Sequence, residues 1–160
     1  MTQNTAPERP QNLAGQIRDA APVVLVGVDG SPTSWDAFAW AAEEAKRLSG
    51  RLLAVYVMSS AGPAAAFGAP VGYADIMQAR QAIAGELRDE AVRRGGQLGL
   101  PVSFVSECGD TSQVLAGLAG SVHADHIVVG RSTKTLHRLA GSLSHRLTAR
   151  TDAPVVVVVP

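Results

Sequence analysis

Two polar turns are the places where this sequence could do chemistry, because each directly follows a run of β-branched residues. Asp29 follows the run 23–28 and begins the turn Asp-Gly-Ser-Pro. Gly130 ends a second such run and is followed by Arg131 and Ser132. A carboxylate accepts hydrogen bonds, whereas guanidinium and hydroxyl groups donate them to phosphate. We therefore expect these turns to form the walls of any ligand site, although an aspartate in such a sequence is also an ordinary turn former.

Gly141 and Ser142 lie further along the chain after Gly130, where the sequence predicts the start of a helix. Free backbone N–H groups and the helix dipole favour an anion at such a position. On these local signals alone a plain capping turn is the more ordinary explanation of the pair, and both interpretations stay open. Four basic side chains in the preceding loop could neutralise phosphates or simply be solvated: Arg131, Lys134, His137 and Arg138.

Other familiar catalytic and metal-binding patterns are absent from the sequence. There is no Gly-x-Ser-x-Gly elbow, which disfavours a serine hydrolase. His123 and His126 straddle a predicted turn into a strand instead of sharing one helix face, so we expect no metal site. Cys108 is expected to be a small buried residue and not a reactive thiol. We predict no catalytic residue.

Strands and helices alternate along most of the chain. Apolar or β-branched runs predict five strands, at 23–28, 51–58, 102–107, 126–129 and 155–159. Apolar residues at helical spacing predict four helices, at about 34–48, 75–98 and 114–122 and from about 141 onward. This alternation predicts an α/β fold with one doubly wound parallel sheet and helices on both faces. Ligands bind such sheets beyond the carboxyl ends of the strands, where the strand order reverses.

Two of the predicted helices are amphipathic, with charged residues opposite an apolar face. The first helix is expected to bury Trp35, Phe38, Ala41, Ala42, Ala45 and Leu48. The second and longer helix is expected to present an apolar stripe of Ile76, Ala79, Ile83, Leu87 and Ala91. We expect both apolar faces to pack against the sheet.

Composition excludes several classes of function. The 160 residues suit a single domain, with 46% hydrophobic and 18% charged residues. Lys plus Arg and Asp plus Glu each number 14, so the formal charge is zero. Nucleic-acid binding needs a basic excess, and binding to a membrane surface is disfavoured as well. We expect neither nucleic acid nor membrane as a partner.

The N-terminal segment and the cysteine count bear on location. Residues 1–21 are predicted to be a polar tail, which could contain a short helix, and 22–160 to be the folded domain. The first 22 residues carry charges and no apolar stretch, which argues against a secretory signal. The single cysteine allows no internal disulfide, which is typical of a reducing compartment. We therefore expect a cytoplasmic protein.

The C-terminal strand 155–159 is an unbroken run of valine. It lacks the alternation of a half-solvated strand. At the edge of a sheet, such a strand would expose an apolar row that proteins normally cover. Pairing with its own copy across a two-fold axis would cover both at once, so we predict a homodimer through this strand.

Five segments of the chain form a recognisable set when they are taken in order. They are Asp-Gly-Ser-Pro at 29–32, LLAVYVM at 52–58, HADHIVVG at 123–130, Gly-Ser at 141–142 and Ala-Pro followed by valines at 153–159. Their order and spacing resemble those of the universal stress protein family. The resemblance implies a five-stranded Rossmann-like sheet with strand order 3-2-1-4-5, a dimer and, in many members, an ATP site.

The resemblance also implies where a nucleotide would bind. The family's phosphate pattern is similar to Gly-x2-Gly-x9-Gly-Ser/Thr, in which Gly130 matches the first glycine and Gly141 and Ser142 the last pair. Thr133 stands in place of the second glycine, and ten residues separate the outer glycines where the pattern has twelve. Matched position by position, the resemblance implies that Asp29 contacts the adenosine and that Val57 lines the adenine. It implies that the phosphates contact Gly130, Gly141 and Ser142.

The leading functional hypothesis is a non-catalytic regulatory or stress-response protein that binds an adenine nucleotide, ATP or AMP, weakly. The altered phosphate loop removes a glycine that lets backbone approach a phosphate closely. Two alternatives remain: a dimeric interaction protein that binds no nucleotide, and a slow ATP hydrolase. Asp29 is the only candidate acid for hydrolysis near the predicted site.

Overall fold

The computed structural model describes residues 21–58, 72–131, 143–149 and 154–160. Strands and helices alternate through these ranges, and the elements are β1 (Val23–Gly27), α1 (Pro32–Arg47), β2 (Arg51–Met58), α2 (Tyr73–Gln97), β3 (Val102–Cys108), α3 (Thr111–Ser121), β4 (His126–Gly130), α4 (Leu143–Thr148) and β5 (Val155–Val159). Residues 1–20 of the predicted tail lie outside the described residues. None of the described helices is long and apolar enough to cross a membrane.

The five strands form one parallel sheet in the order β3-β2-β1-β4-β5. The predicted doubly wound, Rossmann-like α/β fold and its strand order are therefore confirmed. The strand β1 lies at the centre, where Val24 is aligned with Leu52 of β2 on one side and with His126 of β4 on the other. Its residues Val24, Leu25 and Val26 are fully buried, as expected for a strand covered on both faces.

Helices cover the two faces of the sheet in pairs. On one face α1 and α2 pack through small alanines and Phe38, together with Val24 and Val26 of β1. On the other face α3 and α4 pack through Leu115 and Leu147. Because successive residues of a strand point to opposite faces, one continuous apolar run supplies both layers.

Several predicted burial states were wrong. Trp35 and Leu48 are only partly buried. Trp35 packs edge-on against Phe38, and its outer face carries the guanidinium of Arg94 at 4.5 Å from the ring centroid. Trp35 therefore packs against the edge of the core and joins α1 to α2 there.

The long helix α2 packs on the sheet through only part of its predicted stripe. Ala79 is exposed and Ile83 is 46% exposed, whereas Leu87 and Ala91 are buried. The close approach to the sheet occurs near the end of the helix, where a side chain on Gly95 would clash with Val102 of β3. The prediction for Cys108 was also wrong, because it ends the edge strand β3 and is exposed.

Candidate functional site

A cavity of about 510 Å³ opens at the carboxyl edge of the sheet. It lies beyond β1 and β4, where the strand order reverses, because the chain first winds outward from β1 to β3 and then returns to β4. Its volume is in the range of small-molecule sites. Four of the predicted site residues line this cavity: Asp29, Val57, Gly130 and Arg131. The other three, Ser132, Gly141 and Ser142, lie outside the described residues.

The turn from β1 into α1 forms one wall of the cavity, and its polar atoms bond to one another. The backbone N–H and hydroxyl of Ser31 donate to Asp29 Oδ1, at 2.9 and 2.6 Å. The Ser31 hydroxyl in turn accepts from the Ser34 backbone N–H at 3.2 Å, which caps α1. Gly30 has a positive φ of 84° that glycine adopts at no steric cost. The turn therefore holds Asp29 in place through bonds to its near neighbours.

Gly130 is required where the end of β4 meets this turn. A β-carbon there would lie 2.6 Å from the carbonyl carbon of Thr33 and 2.9 Å from the backbone nitrogen of Ser34. These atoms belong to the first turn of α1 and cannot rotate away. Close packing between two elements therefore demands a glycine at this position, whether or not a phosphate binds. The sequence interpretation gave Gly130 only a role in ligand binding, as part of a site wall and as a phosphate contact.

Apolar side chains of the strands and of α3 form the inner part of the cavity. Val55 and Val57 contribute from β2, Val129 from β4 and Leu115 from α3. Val55, Val129 and Leu115 are buried, whereas Val57 is partly buried. A surface of this kind can pack against the faces of a flat ring without leaving polar groups unpaired.

The opposite wall was not predicted from the sequence. It includes Thr111 at the start of α3, together with Ser144 and Arg146 of α4. Arg146 Nη1 donates to Oδ2 of Asp110 at 2.9 Å. Asp110 could have been noticed, since it follows a strand as Asp29 does, but the sequence gives no signal that Arg146 reaches it from 36 residues away.

Asp110 is also the N-cap residue of α3. Its Oδ1 accepts a hydrogen bond from the Ser112 hydroxyl and another from the Gln113 backbone N–H. These two donors, and then the charge of Arg146, hold the pKa of Asp110 below its usual value. Asp110 is therefore an ionised carboxylate at neutral pH, directly before Thr111 of the cavity lining.

The histidines do not form a metal site in the part of the chain that is described. No group of three or more His, Cys, Asp or Glu side chains in these ranges is arranged to hold a metal ion. His126 begins β4 and so lies at the amino edge of the sheet, away from the cavity. Its Nε2 is 3.9 Å from Oε1 of Glu44 on α1.

Comparison with known proteins gives a single family. Residues 22–159 match the universal stress protein family. No curated protein matches the sequence. The match covers all five strands and four helices of the described fold.

Solved structures of the same fold extend over most of the chain. A protein of the universal stress protein family from Burkholderia pseudomallei is 24% identical with a TM-score of 0.68, and the alignment covers 88% of this chain and 96% of that one. A universal stress protein crystallised in complex with cAMP is 25% identical with a TM-score of 0.61, covering 88% and 98%. A universal stress protein from Archaeoglobus fulgidus in complex with dAMP is 20% identical with a TM-score of 0.61, covering 87% and 97%.

Proposed function

This chain belongs to the universal stress protein family, and we propose that it is a cytoplasmic regulatory protein that binds an adenine nucleotide without hydrolysing it. The observation that carries the proposal is the cavity of about 510 Å³ at the carboxyl edge of the sheet, with Asp29, Val57, Gly130 and Arg131 in its lining. A relative 25% identical to this chain has cAMP bound. A cytoplasmic location suits the single, exposed Cys108, which a reducing compartment keeps as a thiol.

The nucleotide is proposed to lie with its adenosine part towards β1 and β2. Val57 and the apolar inner surface would pack against the adenine ring, while Asp29 would accept a hydrogen bond from the ribose or the base. The phosphates would then point towards Gly130 and Arg131 at the end of β4. Ser132, Gly141 and Ser142 are proposed to donate further hydrogen bonds to the phosphates.

Phosphate recognition is proposed to depend more on charge than on a backbone cradle. Thr133 replaces the second glycine of the family pattern, and a β-branched residue resists the positive φ that glycine allows. Arg131 supplies a charge that attracts any phosphate, whereas a cradle of N–H groups selects one shape. We therefore expect weak binding that discriminates poorly among ATP, ADP and AMP.

Binding without hydrolysis is proposed because of the hydrogen bonds that the one acidic residue in the described lining accepts. The carboxylate of Asp29 accepts two hydrogen bonds from Ser31 within its own turn. A carboxylate anchored in this way suits an acceptor of ligand hydrogen bonds better than a base that must reach an attacking water. We expect no phosphate release above the background rate when the protein is incubated with ATP.

Calorimetry with ATP, ADP and AMP at low and high salt tests the proposed function. All three nucleotides should bind with affinities within about tenfold of one another, and all should bind more weakly at high salt because exposed charges are screened. Mass spectrometry of the purified protein should detect any adenine nucleotide that co-purifies. Absence of binding by all three would overturn the proposal, and tight, ATP-selective binding that persists in high salt would refute its charge-based part.

A homodimer through β5 is proposed as the assembled form. The strand β5 lies at the edge of the sheet, beside β4. Its side chains Val155 and Val158 are 62% and 44% exposed, which leaves apolar surface beside the free hydrogen-bonding groups of an edge strand. A second copy would cover both. The exposed valines of β5 are also the specific observation that favours an interaction protein as the second candidate function.

Light scattering combined with size-exclusion chromatography tests the dimer. The wild-type protein should elute as a dimer, and Val155→Lys should give a folded monomer because that side chain is mostly exposed. Val157→Lys is the matched comparison: Val157 packs against the core of α1 and α2, so the variant should unfold or aggregate. A well-folded monomeric wild type would contradict the proposed dimer.

A further inference from the structure

Arg146 lines the cavity while it is paired with a carboxylate beside the cavity. Its Nη1 donates to Asp110 Oδ2 at 2.9 Å, and the two side chains are 45% and 39% exposed. Ion pairs at this degree of exposure contribute little to stability, because water solvates both partners well. Arg146 can therefore exchange Asp110 for another anion without a large loss of stability.

Asp110 keeps its position independently of Arg146. Its Oδ1 accepts from the Ser112 hydroxyl and from the Gln113 backbone N–H as the cap of α3, while Oδ2 faces Arg146. Because the two oxygens have separate partners, the carboxylate keeps its place before Thr111 of the cavity lining when Arg146 leaves it. Asp110 is thus a fixed negative charge that competes with any anion entering the cavity.

The charged residues in the described lining are Asp29, Arg131 and Arg146. Arg131 follows Gly130 at the end of β4, beside the turn that holds Asp29, whereas Arg146 belongs to α4 on the other face of the sheet. A guanidinium can donate two parallel hydrogen bonds to one phosphate, which makes arginine the preferred residue for recognising this group. In this structure Arg146 Nη1 donates one hydrogen bond to Asp110 Oδ2.

From this arrangement we infer that Arg146 determines specificity for the phosphate of the bound nucleotide, and that Asp110 competes with the phosphate for it. The inference rests on the adenine-nucleotide binding proposed above and adds a charge requirement to it. A phosphate monoester carries close to two negative charges at neutral pH, whereas Asp110 carries one. AMP therefore draws Arg146 away from Asp110, and an uncharged nucleoside leaves the pair intact.

Calorimetric titration of AMP and adenosine into four proteins tests the inference. Asp110→Asn removes the charge and keeps the helix cap, since asparagine caps as well as aspartate. It should bind AMP roughly two- to fivefold more tightly, the range of a typical exposed ion pair. Arg146→Gln should bind AMP about tenfold more weakly, because one charged hydrogen bond is lost. The double variant should equal Arg146→Gln, and adenosine should bind all four alike.

Two further variants serve as controls. Asp89→Asn changes the net charge by the same amount on the exposed surface of α2 and should leave both affinities unchanged. Arg146→Lys keeps the charge and should recover part of the AMP affinity. If glutamine disturbs α4, this variant still tests whether the charge at position 146 attracts the phosphate. Thermal unfolding of each variant confirms that it is folded.

The outcomes separate this inference from the proposed function. Unchanged AMP affinity in Asp110→Asn and Arg146→Gln, with adenosine still bound, would overturn the role of Arg146 and leave the nucleotide site standing. AMP binding that is tighter in the double variant than in Arg146→Gln would show that Asp110 acts by general repulsion and not through Arg146. A wild type that binds neither compound would overturn the proposed function and this inference together.

Discussion

Two aspartates at the carboxyl edge of the sheet have almost the same local setting and different partners. Asp29 follows β1 by two residues and Asp110 follows β3 by two residues. Each accepts through Oδ1 from the hydroxyl of a serine two positions further on. Asp29 leaves the cap of its helix to Ser31, whereas Asp110 caps α3 itself and also pairs with an arginine of α4.

These different partners give the two walls of the cavity different kinds of support. The turn around Asp29 contains hydrogen bonds within six consecutive residues, 29–34, and these bonds form as soon as the turn does. The wall around Asp110 includes an ion pair between the N-cap residue of α3 and Arg146 of α4, which water weakens and a ligand can replace. The first wall is therefore suited to fixing the shape of a ligand, and the second to sensing its charge.

The largest effect on stability is expected from disrupting the packing of β4 against the turn around Asp29. Gly130→Ala places a methyl group against the backbone of Thr33 and Ser34, which can be relieved only by moving α1 or β4. We expect a loss of about 3 kcal/mol in the free energy of unfolding, at the upper end for overpacking. Urea denaturation measures this loss.

Gly117 in α3 provides the matched control, because nothing lies within 4 Å of a β-carbon built there. Gly117→Ala should raise the free energy of unfolding by about 0.8 kcal/mol, the helix-propensity difference between the two residues. Equal effects of the two substitutions would show that Gly130 is not held by close packing.

Asp29→Ala should weaken nucleotide binding while the protein stays folded. Asp29 is exposed, and the expected loss is roughly 1.5–3 kcal/mol in binding free energy, as for one hydrogen bond to a charged group. Asp29 is proposed to contact the adenosine part, so the loss should be the same for AMP and for adenosine. The Asp110–Arg146 pair, in contrast, should affect AMP alone. Equal AMP affinity in Asp29→Ala and wild type would show that the family site does not apply to this position.

Each wall contains one buried serine, and the pair gives a smaller, matched test. The Ser34 hydroxyl accepts from the Asp29 backbone N–H and donates to the Ser31 carbonyl. The Ser112 hydroxyl donates to the Asp110 carboxylate, which keeps a second donor in Gln113. Ser34→Ala should cost about 1.5 kcal/mol of unfolding free energy and Ser112→Ala about 0.5 kcal/mol, because only the first removes a backbone group's partner. The reverse order would contradict the comparison.

The same contrast explains what could be predicted from the sequence. The strand order and the position of Asp29 depend on apolar runs and on a local turn, and both kinds of signal lie within a few consecutive residues. The Asp110–Arg146 pair joins residues 36 apart, and nothing in either local sequence indicates the other. Long-range pairing of exposed charges is therefore the part of the site that only the folded chain reveals.

The burial of the long helix could not be predicted for a related reason. A periodic apolar pattern predicts which face of a helix is apolar, but not how far along its length a sheet covers that face. The edge strand β3 meets α2 near Gly95, so Leu87 and Ala91 are buried while Ile83 remains 46% exposed. Gly130 could not be interpreted fully for a different reason. A glycine required by packing against α1 and a glycine required for phosphate binding look the same in the sequence.

The smallest expected effect is the pH dependence of the stability that ionised Asp110 contributes. The folded state lowers the pKa of Asp110 from its usual value of 3.8, so the ionised carboxylate stabilises the folded protein. This stabilisation is complete above pH 3.8 and is lost as the pH falls through the lower, folded-state pKa. The difference in unfolding free energy between wild type and Asp110→Asn should therefore shrink towards low pH, and it should stay below about 1 kcal/mol for so exposed a group.

Because the Ser112 hydrogen bond is the largest cause of the lowered pKa and the Arg146 charge is a lesser one, Arg146→Gln should keep most of this pH dependence. Urea denaturation of the three proteins between pH 2 and pH 6 measures it, and complete loss of the dependence in Arg146→Gln would show that the ion pair, and not the helix cap, holds Asp110 ionised.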